Sequence, residues 1–274
     1  MPELPEVHTT VTGLNAVLPG LVITDVWTGW PKQIKGHNFK DFKKLLIGKK
    51  FLSVSRQAKN VLIHLSGGMT LRVHMKMTGQ LLFDRPNSKY IHQRFFLSKG
   101  HELSFSDLRK FGRVELIETS KLHEHETLKT LGPDPFDKKL TLKVLLARLL
   151  RRPNLPIKLA LLDQTIISGI GNIYADESLW DAGIIPTRKA KDVSPAESGA
   201  ILKSMRKILT KSIKLGGDSK SDYRNIYGEK GGFQNHHMAY RMTGEACKKK
   251  GCGGIIKRIV LGSRSTHFCP KHQH

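Results

Sequence analysis

The stretch Leu131-Gly132-Pro133-Asp134-Pro135-Phe136 constrains the fold more than any other. Two prolines around one aspartate break either a helix or a strand, so the run reads as a linker between domains. The hydrophobic period changes across it. Before it lie short strand-like runs at Leu21–Trp27, Lys50–Arg56, Asn60–Ser66, Met69–His74, His92–Ser98, Glu102–Ser106 and Arg113–Glu118, many of them separated by Gly, Pro or Asn. Ser66-Gly67-Gly68 reads as a hairpin turn. Several short strands over this length predict a β-sandwich. One helix precedes them: Val7, Val11, Leu14 and Leu18 recur at helical spacing until Pro19-Gly20.

After the linker the period is helical. Leu142, Leu145, Leu146, Leu149 and Leu150 form an apolar stripe that ends at Arg151-Arg152-Pro153. Ile157–Ile167 predicts a second helix, and Ser194-Pro195-Ala196-Glu197 is a capping box that opens a third. Ile201, Met205, Ile208 and Leu209 give that third helix a core face, and Gly216-Gly217 ends it. The expected fold class is α+β and multidomain. Residues 1–131 form the N-terminal β-sandwich with its flanking helix, 132–141 the linker, 142–238 a helical domain with a long loop at 216–238, and 239–274 a small terminal module. A loop of that length inside a compact chain is usually functional or disordered.

Charge narrows the partner. Lys and Arg total 46 against 23 acidic residues, a formal charge of +23 with a pI near 10.1. That balance suits a polyanion, nucleic acid first. No run of 18 apolar residues spans a membrane, and no basic-then-apolar leader opens the chain, so a cytoplasmic location is expected. The 3 cysteines all follow residue 246, too few and too late for a disulfide framework. They sit as Cys247, Cys252 and Cys269, with His272 three positions on, and strand-like runs lie between the pairs. Sulfur and imidazole ligands at this spacing suit one closed tetrahedral zinc site, with His267 and His274 as further nearby imidazoles.

The first residues, Met1-Pro2-Glu3-Leu4-Pro5-Glu6, admit two readings. Pro5 and the acidic side chains suit the start of a helix. Removal of Met1 would also leave Pro2 with a free secondary amine. An α-amino group has a pKa near ~8, so roughly a tenth is neutral at pH 7. A neutral amine attacks carbonyl-type carbon to give a Schiff base, and Glu3 or Glu6 could move protons beside it. On the residues alone, the helix start is the simpler reading.

Met-Pro-Glu-Leu-Pro-Glu-Val resembles the opening of the bacterial formamidopyrimidine-DNA glycosylases, and the resemblance continues along nearly the whole chain. His74-Met75-Lys76-Met77-Thr78-Gly79 is similar to that family's His-Leu-Gly-Met-Thr-Gly turn. Asp107-Leu108-Arg109-Lys110-Phe111-Gly112 is similar to its Asp-Pro-Arg-Arg-Phe-Gly turn. Ser168-Gly169-Ile170-Gly171-Asn172-Ile173-Tyr174-Ala175-Asp176-Glu177 resembles its helix–two-turn–helix segment. The tail resembles a Cys-x2-Cys-x16-Cys-x2-Cys β-hairpin zinc finger, with a wider first knuckle and His272 for the last cysteine. Lys76 stands for a glycine, which either adds a phosphate contact or changes the turn, and Tyr90 stands for a common histidine.

The resemblance implies a bifunctional DNA glycosylase and AP lyase that excises oxidised purines from double-stranded DNA, with one structural zinc, no organic cofactor and a monomeric chain. It implies a basic cleft between the two domains. Pro2 becomes the nucleophile, Glu3 and Glu6 the acid–base groups, and Lys59 and Arg264 helpers in elimination. Met77, Arg109 and Phe111 fill the void left by a flipped nucleotide, while the loop at 216–238 caps the flipped purine. His92, Arg152, Lys158, Gly171, Asn172 and Arg264 contact DNA, with Arg152 only adjacent to the matching position. Cys247, Cys252, Cys269 and His272 bind zinc. Two other functions fit less of the chain: an endonuclease VIII-type enzyme for oxidised pyrimidines, whose relatives usually carry Gly at position 4, and a non-catalytic damaged-DNA-binding zinc protein.

Overall fold

The computed structural model describes residues 1–274. It divides into two compact units, Met1–Lys129 with Ile213–Gly232, and Thr130–Ser212 with Phe233–His274. The first boundary between them falls between Lys129 and Thr130. The long loop behaves differently from its expected place: its first part, through Gly232, packs with the N-terminal unit.

In the first unit, helix α1 (Leu4–Val17) leads into strand β1 (Ile23–Thr28), the short β2 (Ile34–Lys35) and helix α2 (Phe39–Leu46). Strands β3 (Phe51–Gln57), β4 (Asn60–Leu65), β5 (Met69–His74), β6 (Gly79–Phe83), β7 (Ile91–Leu97), β8 (Glu102–Asp107) and β9 (Arg113–Glu118) follow. They form two sheets, ordered β1-β7-β8-β6 and β2-β9-β5-β4-β3, antiparallel except for the β2–β9 pair. One core receives both sheets: Val26, Leu81, Phe95 and Phe105 from the first, Val54, Ile63, Val73 and Val114 from the second. The seven expected strands are present within a few residues. The sequence reading missed β6, whose Leu81, Leu82 and Phe83 are all buried and so show no alternation, along with the short β2 and α2.

The second unit carries α3 (Leu142–Leu149), α4 (Ile157–Leu162), α5 (Asn172–Ala182), most of α6 (Pro195–Lys214), and a hairpin of β10 (Lys257–Leu261) and β11 (Arg264–Phe268). The capping box of α6 is formed: Glu197 Oε2 accepts from Ser194 N at 2.8 Å, and Ser194 Oγ accepts from Glu197 N at 3.3 Å. Helix α4 stops at Leu162, five residues short of its expected end. Asp163 adopts an extended conformation there, and its carboxylate accepts from Thr165 N and Oγ1, a local turn that competes with the helix. No helix is long and apolar enough to cross a membrane.

Helix α2 earns its place through Phe42, which is fully buried and meets the Phe95 ring edge-on at 6.5 Å between centroids. Phe42→Ala is expected to cost about 3–5 kcal/mol of stability in the first unit, read from the urea midpoint.

Candidate functional site

Helix α1 holds the N-terminus rigidly. Glu6 is 1% exposed, and both of its oxygens are engaged: Oε2 accepts from Glu3 N at 2.7 Å and Oε1 from Asp218 N at 2.7 Å. The first bond closes a capping box with Glu3, itself buried. The second ties the start of the long loop to the cap. The helix-start reading of the N-terminal segment is the one this arrangement displays, with Pro2 directly before the Glu3 cap. Pro2 is buried behind Met1, so its nitrogen is here an amide. Glu6, expected among the acid–base groups, is instead occupied in holding the cap and the loop.

Helix α1 packs on β3 and β4, and the hairpin joining those strands carries Lys59. Lys59 is buried at 6% exposure, and Ala58 beside it takes a left-handed φ of 53°. His74, at the end of β5, opens the His74–Gly79 motif and joins this group through the structure alone. It lies in the field of Lys76, Arg72, Lys59 and Arg113. Burial, followed by these cations, pushes its imidazole down to about 3. It is therefore neutral at physiological pH, and its Nδ1 accepts from Lys76 N at 3.0 Å.

The two motif turns converge through Asp107, which is fully buried. Its carboxylate accepts from Thr78 Oγ1 at 2.5 Å, Gly112 N at 2.7 Å, Gln33 Nε2 at 3.1 Å and Arg109 N at 3.3 Å. Four donors from three segments lock both turns to one point. Gly112 also lies against the Phe105 ring, which any Cβ there would overlap. Above this base, Arg109 Nη1 lies 2.9 Å from Met77 Sδ, and its guanidinium sits 4.7 Å from the Phe111 ring centroid. Met77 is 42% exposed and Phe111 52%. These apolar side chains are not core residues; they form a displayed wedge braced by an arginine. His92 is half-buried, and burial with Lys110 nearby lowers its imidazole pKa. Tyr90 is exposed, with a left-handed φ of 62°. The loop after Asp218 walls a cavity of about 640 Å³, lined among others by Gln80, Arg85, Arg224, Tyr227 and Glu229.

In the second unit, Gly171 is the N-cap of α5 and Asn172 its first residue. Asn172 Nδ2 donates to Ser265 O at 3.0 Å instead of capping the helix. Lys158 corrects an expectation. Predicted to touch a phosphate, it is 0% exposed and pairs with Asp176 at 2.7 Å. Its Nζ also donates to Ser265 O and Thr266 Oγ1, each at 2.8 Å. Asp176 in turn accepts from His267 N and Nδ1, both at 3.0 Å. Buried ammonium and carboxylate need such partners, so Lys158 is a fastener for β11. His267, the alternative imidazole, is thereby committed to Asp176. Arg264 stands exposed at the start of β11, just after the tight Gly262-Ser263 turn, and Arg152 is exposed with Nε 3.7 Å from Asp163.

Cys247, Cys252 and Cys269 place their sulfur atoms within 4.8 Å of one another. The Cys252–Cys269 separation of 3.6 Å is close to the ~3.8 Å edge of a tetrahedron with ~2.3 Å zinc–sulfur bonds. Backbone N–H groups of Lys271 and His272 point to the Cys269 sulfur, and that of Lys249 to Cys247, as thiolate ligands require. Gly254 packs on the cluster so closely that a Cβ would strike the Cys269 and Cys252 sulfurs. The donor set fits zinc. His272 is not in this cluster. Its Nε2 is held at 2.8 Å by Trp180 O, and its ring stands edge-on to the Trp180 indole at 5.2 Å.

Three family comparisons match successive parts of the chain. Residues 1–114 match the formamidopyrimidine-DNA glycosylase N-terminal domain, 131–224 the formamidopyrimidine-DNA glycosylase H2TH domain, and 244–271 the zinc finger found in FPG and IleRS. The formamidopyrimidine-DNA glycosylase of Pelotomaculum thermopropionicum is 40% identical over 100% of this chain and 99% of its own. The chain belongs to the formamidopyrimidine-DNA glycosylase family. Two solved relatives share its fold. A Lactococcus lactis FPG mutant in complex with Fapy-dG containing DNA has a TM-score of 0.92 and 34% identity, covering 100% of both chains. The Lactococcus lactis Fpg with an abasic site containing DNA has a TM-score of 0.91 and 34% identity, covering 99% of both. The matched finger and the three gathered thiols fit one structural zinc ion.

The depressed pKa of His74 has a measurable consequence. In the unfolded chain this histidine protonates near ~6.5, in the folded chain only at about 3. The unfolded state therefore binds the extra proton across that window, and stability rises with pH through it and is lost as pH falls from about 6.5 toward 3. His74→Gln is expected to flatten this part of the stability–pH curve, measured by urea unfolding at stepped pH.

Proposed function

We propose that this chain is a bifunctional DNA glycosylase and AP lyase of base excision repair that removes oxidised purines from duplex DNA. The observation that carries the reading is the buried Glu3–Glu6 cap, which fixes the Pro2 end of α1 inside the first unit. A nucleophile on a frayed terminus would lose the advantage of prearranged geometry. With Met1 removed, the Pro2 amine attacks C1′ of the damaged nucleotide. The bond to the base breaks, and Glu3 donates a proton to the sugar ring oxygen, opening the ring to a Schiff base. That iminium acidifies the C2′–H bond, so a C2′ proton is lost, its electrons form a C2′=C3′ double bond by way of the enamine, and the C3′–O bond breaks to expel the 3′ phosphate. A second elimination expels the 5′ phosphate and leaves a one-nucleotide gap. Glu6 acts by holding Glu3, and Lys59 supplies positive charge at the neighbouring hairpin.

Flipping a nucleotide out of the stack costs a few kcal/mol, and the vacancy must be filled. The Met77–Arg109–Phe111 wedge has the chemistry for it: two apolar plugs and a guanidinium that can hydrogen-bond the orphaned base. The loop beginning at Asp218 caps the extruded purine. His92, Arg152, Asn172 with the Gly171 turn, and Arg264 serve as phosphate contacts, and Lys158 positions Arg264 and Asn172 through Ser265. We divide the chain functionally at the boundaries expected from its sequence, with the first part of the loop serving the N-terminal unit. It acts as a monomer on chromosomal DNA in the bacterial cytoplasm.

The zinc would be held by Cys247, Cys252 and Cys269. His272 would complete the set if its ring turned toward the thiols, since its Nε2 is held here by Trp180 O and it stands outside the cluster. When bound, the ion supplies folding energy to the finger and takes no part in the reaction.

Two measurements test the reading. Borohydride should trap the wild type on abasic DNA; Pro2→Gly should lose trapping and most strand nicking while keeping duplex binding. Glu3→Gln should lose excision of intact lesions yet keep some nicking of abasic DNA. Full activity in a chain that retains Met1 would sink the mechanism, and a lesion panel favouring oxidised pyrimidines would overturn the substrate assignment. Elemental analysis should find one zinc per chain, lowered in His272→Ala and retained in His272→Cys. Undiminished zinc in the alanine variant would remove His272 from the ligand set.

A further inference from the structure

Lys76 occupies a backbone conformation that lysine avoids. Its φ is +54°, in the left-handed region where a Cβ crowds the following carbonyl. The resembling family turn carries glycine there; in this chain Gly79 N donates to Met75 O at 3.0 Å, and Lys76 N to His74 Nδ1 at 3.0 Å, so the turn is closed with lysine in the left-handed position. The strain persists and calls for a compensating use of the side chain.

Its surroundings are cationic. The β5–β9 register sets His74 opposite Arg113 and Arg72 opposite Glu115, which puts all four on one face of the sheet. Lys76 adjoins this face and lies in the field of Arg113 and Arg72. Glu115 is the nearby carboxylate, and it is already taken by Arg72 at 2.5 Å and His125 at 2.9 Å. Neither Lys76 nor Arg113 has an ion-pair partner. Burial, followed by Arg113 and Arg72, lowers the Lys76 pKa, with Glu115 opposing the shift. The arrangement adjoins Met77, the exposed wedge. A strained lysine beside the unpaired Arg113, next to the exposed Met77, offers two cations to an anion at a fixed place.

We propose that Lys76, with Arg113 beside it, binds a backbone phosphate of the DNA next to the point where Met77 inserts. This inference rests on the proposed function. The contact is additional to those the family turn makes with glycine, and it gives this chain one more electrostatic anchor at the wedge.

The test is binding of a duplex carrying a tetrahydrofuran abasic analogue, by fluorescence anisotropy across a potassium chloride series. Each phosphate contact contributes about 0.9 to the slope of log affinity against log salt. Lys76→Gln keeps an unbranched polar side chain and the strained φ but removes the charge. Its slope should be shallower by about 0.9, so that between 50 and 200 mM salt it loses about 3.5-fold less affinity than the wild type. Lys76→Arg should keep the wild-type slope. Lys76→Gly should show the shallow slope and melt at a higher temperature than the wild type, because the strain is gone. A Lys76→Gln slope equal to that of a steeply salt-dependent wild type overturns this inference alone. A Lys76→Gly variant that melts below the wild type overturns the strain argument. A wild type that neither binds the duplex salt-dependently nor is trapped by borohydride overturns the proposed function itself.

Discussion

The buried carboxylate of Glu6 is the contact on which the N-terminal end of the molecule depends. A carboxylate taken out of water is stable only when its oxygens are satisfied. Here one oxygen takes Glu3 N and the other Asp218 N, 212 residues away in sequence. A single charged group thus fixes the helix cap and the root of the long loop together. The position at the start of α1 adds the favourable end of the helix dipole. Chemistry at a chain terminus needs such an anchor, because terminal residues otherwise fray.

Asp107 repeats the device at the wedge. It draws Thr78, Arg109, Gly112 and Gln33 onto one side chain, which lets Met77 and Phe111 stand in solvent on a stiff base. Burying those two apolar groups would have stabilised the fold.

The second unit is built around adjacent acids on α5. Asp176 takes Lys158 and His267, and so binds α4 and β11 to one helix. Glu177 accepts the backbone N–H groups of Met238, Ala239 and Tyr240, and burial pushes its carboxyl pKa up. The segment leading to the finger and the hairpin within it are therefore held by neighbouring residues of the same helix. The gathered thiols of Cys247, Cys252 and Cys269 supply the remaining cross-link once a metal is bound. In a module this small, ionic and metal contacts do work that a larger apolar core would do elsewhere.

Much of this was legible in the amino-acid order, because the deciding interactions are local. The double proline marked the division, the Ser194–Glu197 box the start of α6, and the alternating runs seven of the strands. The turn motifs brought Met77, Arg109 and Phe111 to attention, and the cysteine spacing pointed to a metal. Tertiary structure decided what depends on distant partners. Strand β6 is buried on both faces and has no period to read. Lys158 looks like any basic side chain until Asp176, Ser265 and Thr266 enclose it. His272 has the spacing of a ligand, yet its ring is set by the Trp180 carbonyl. The loop after Asp218 follows the second unit's last helix in sequence but belongs to the first unit, because Glu6 holds it there. Local order determines which elements form and which side chains they offer; only the long-range contacts, which set burial and remove charges from water, decide whether an offered side chain fastens the fold or faces a ligand.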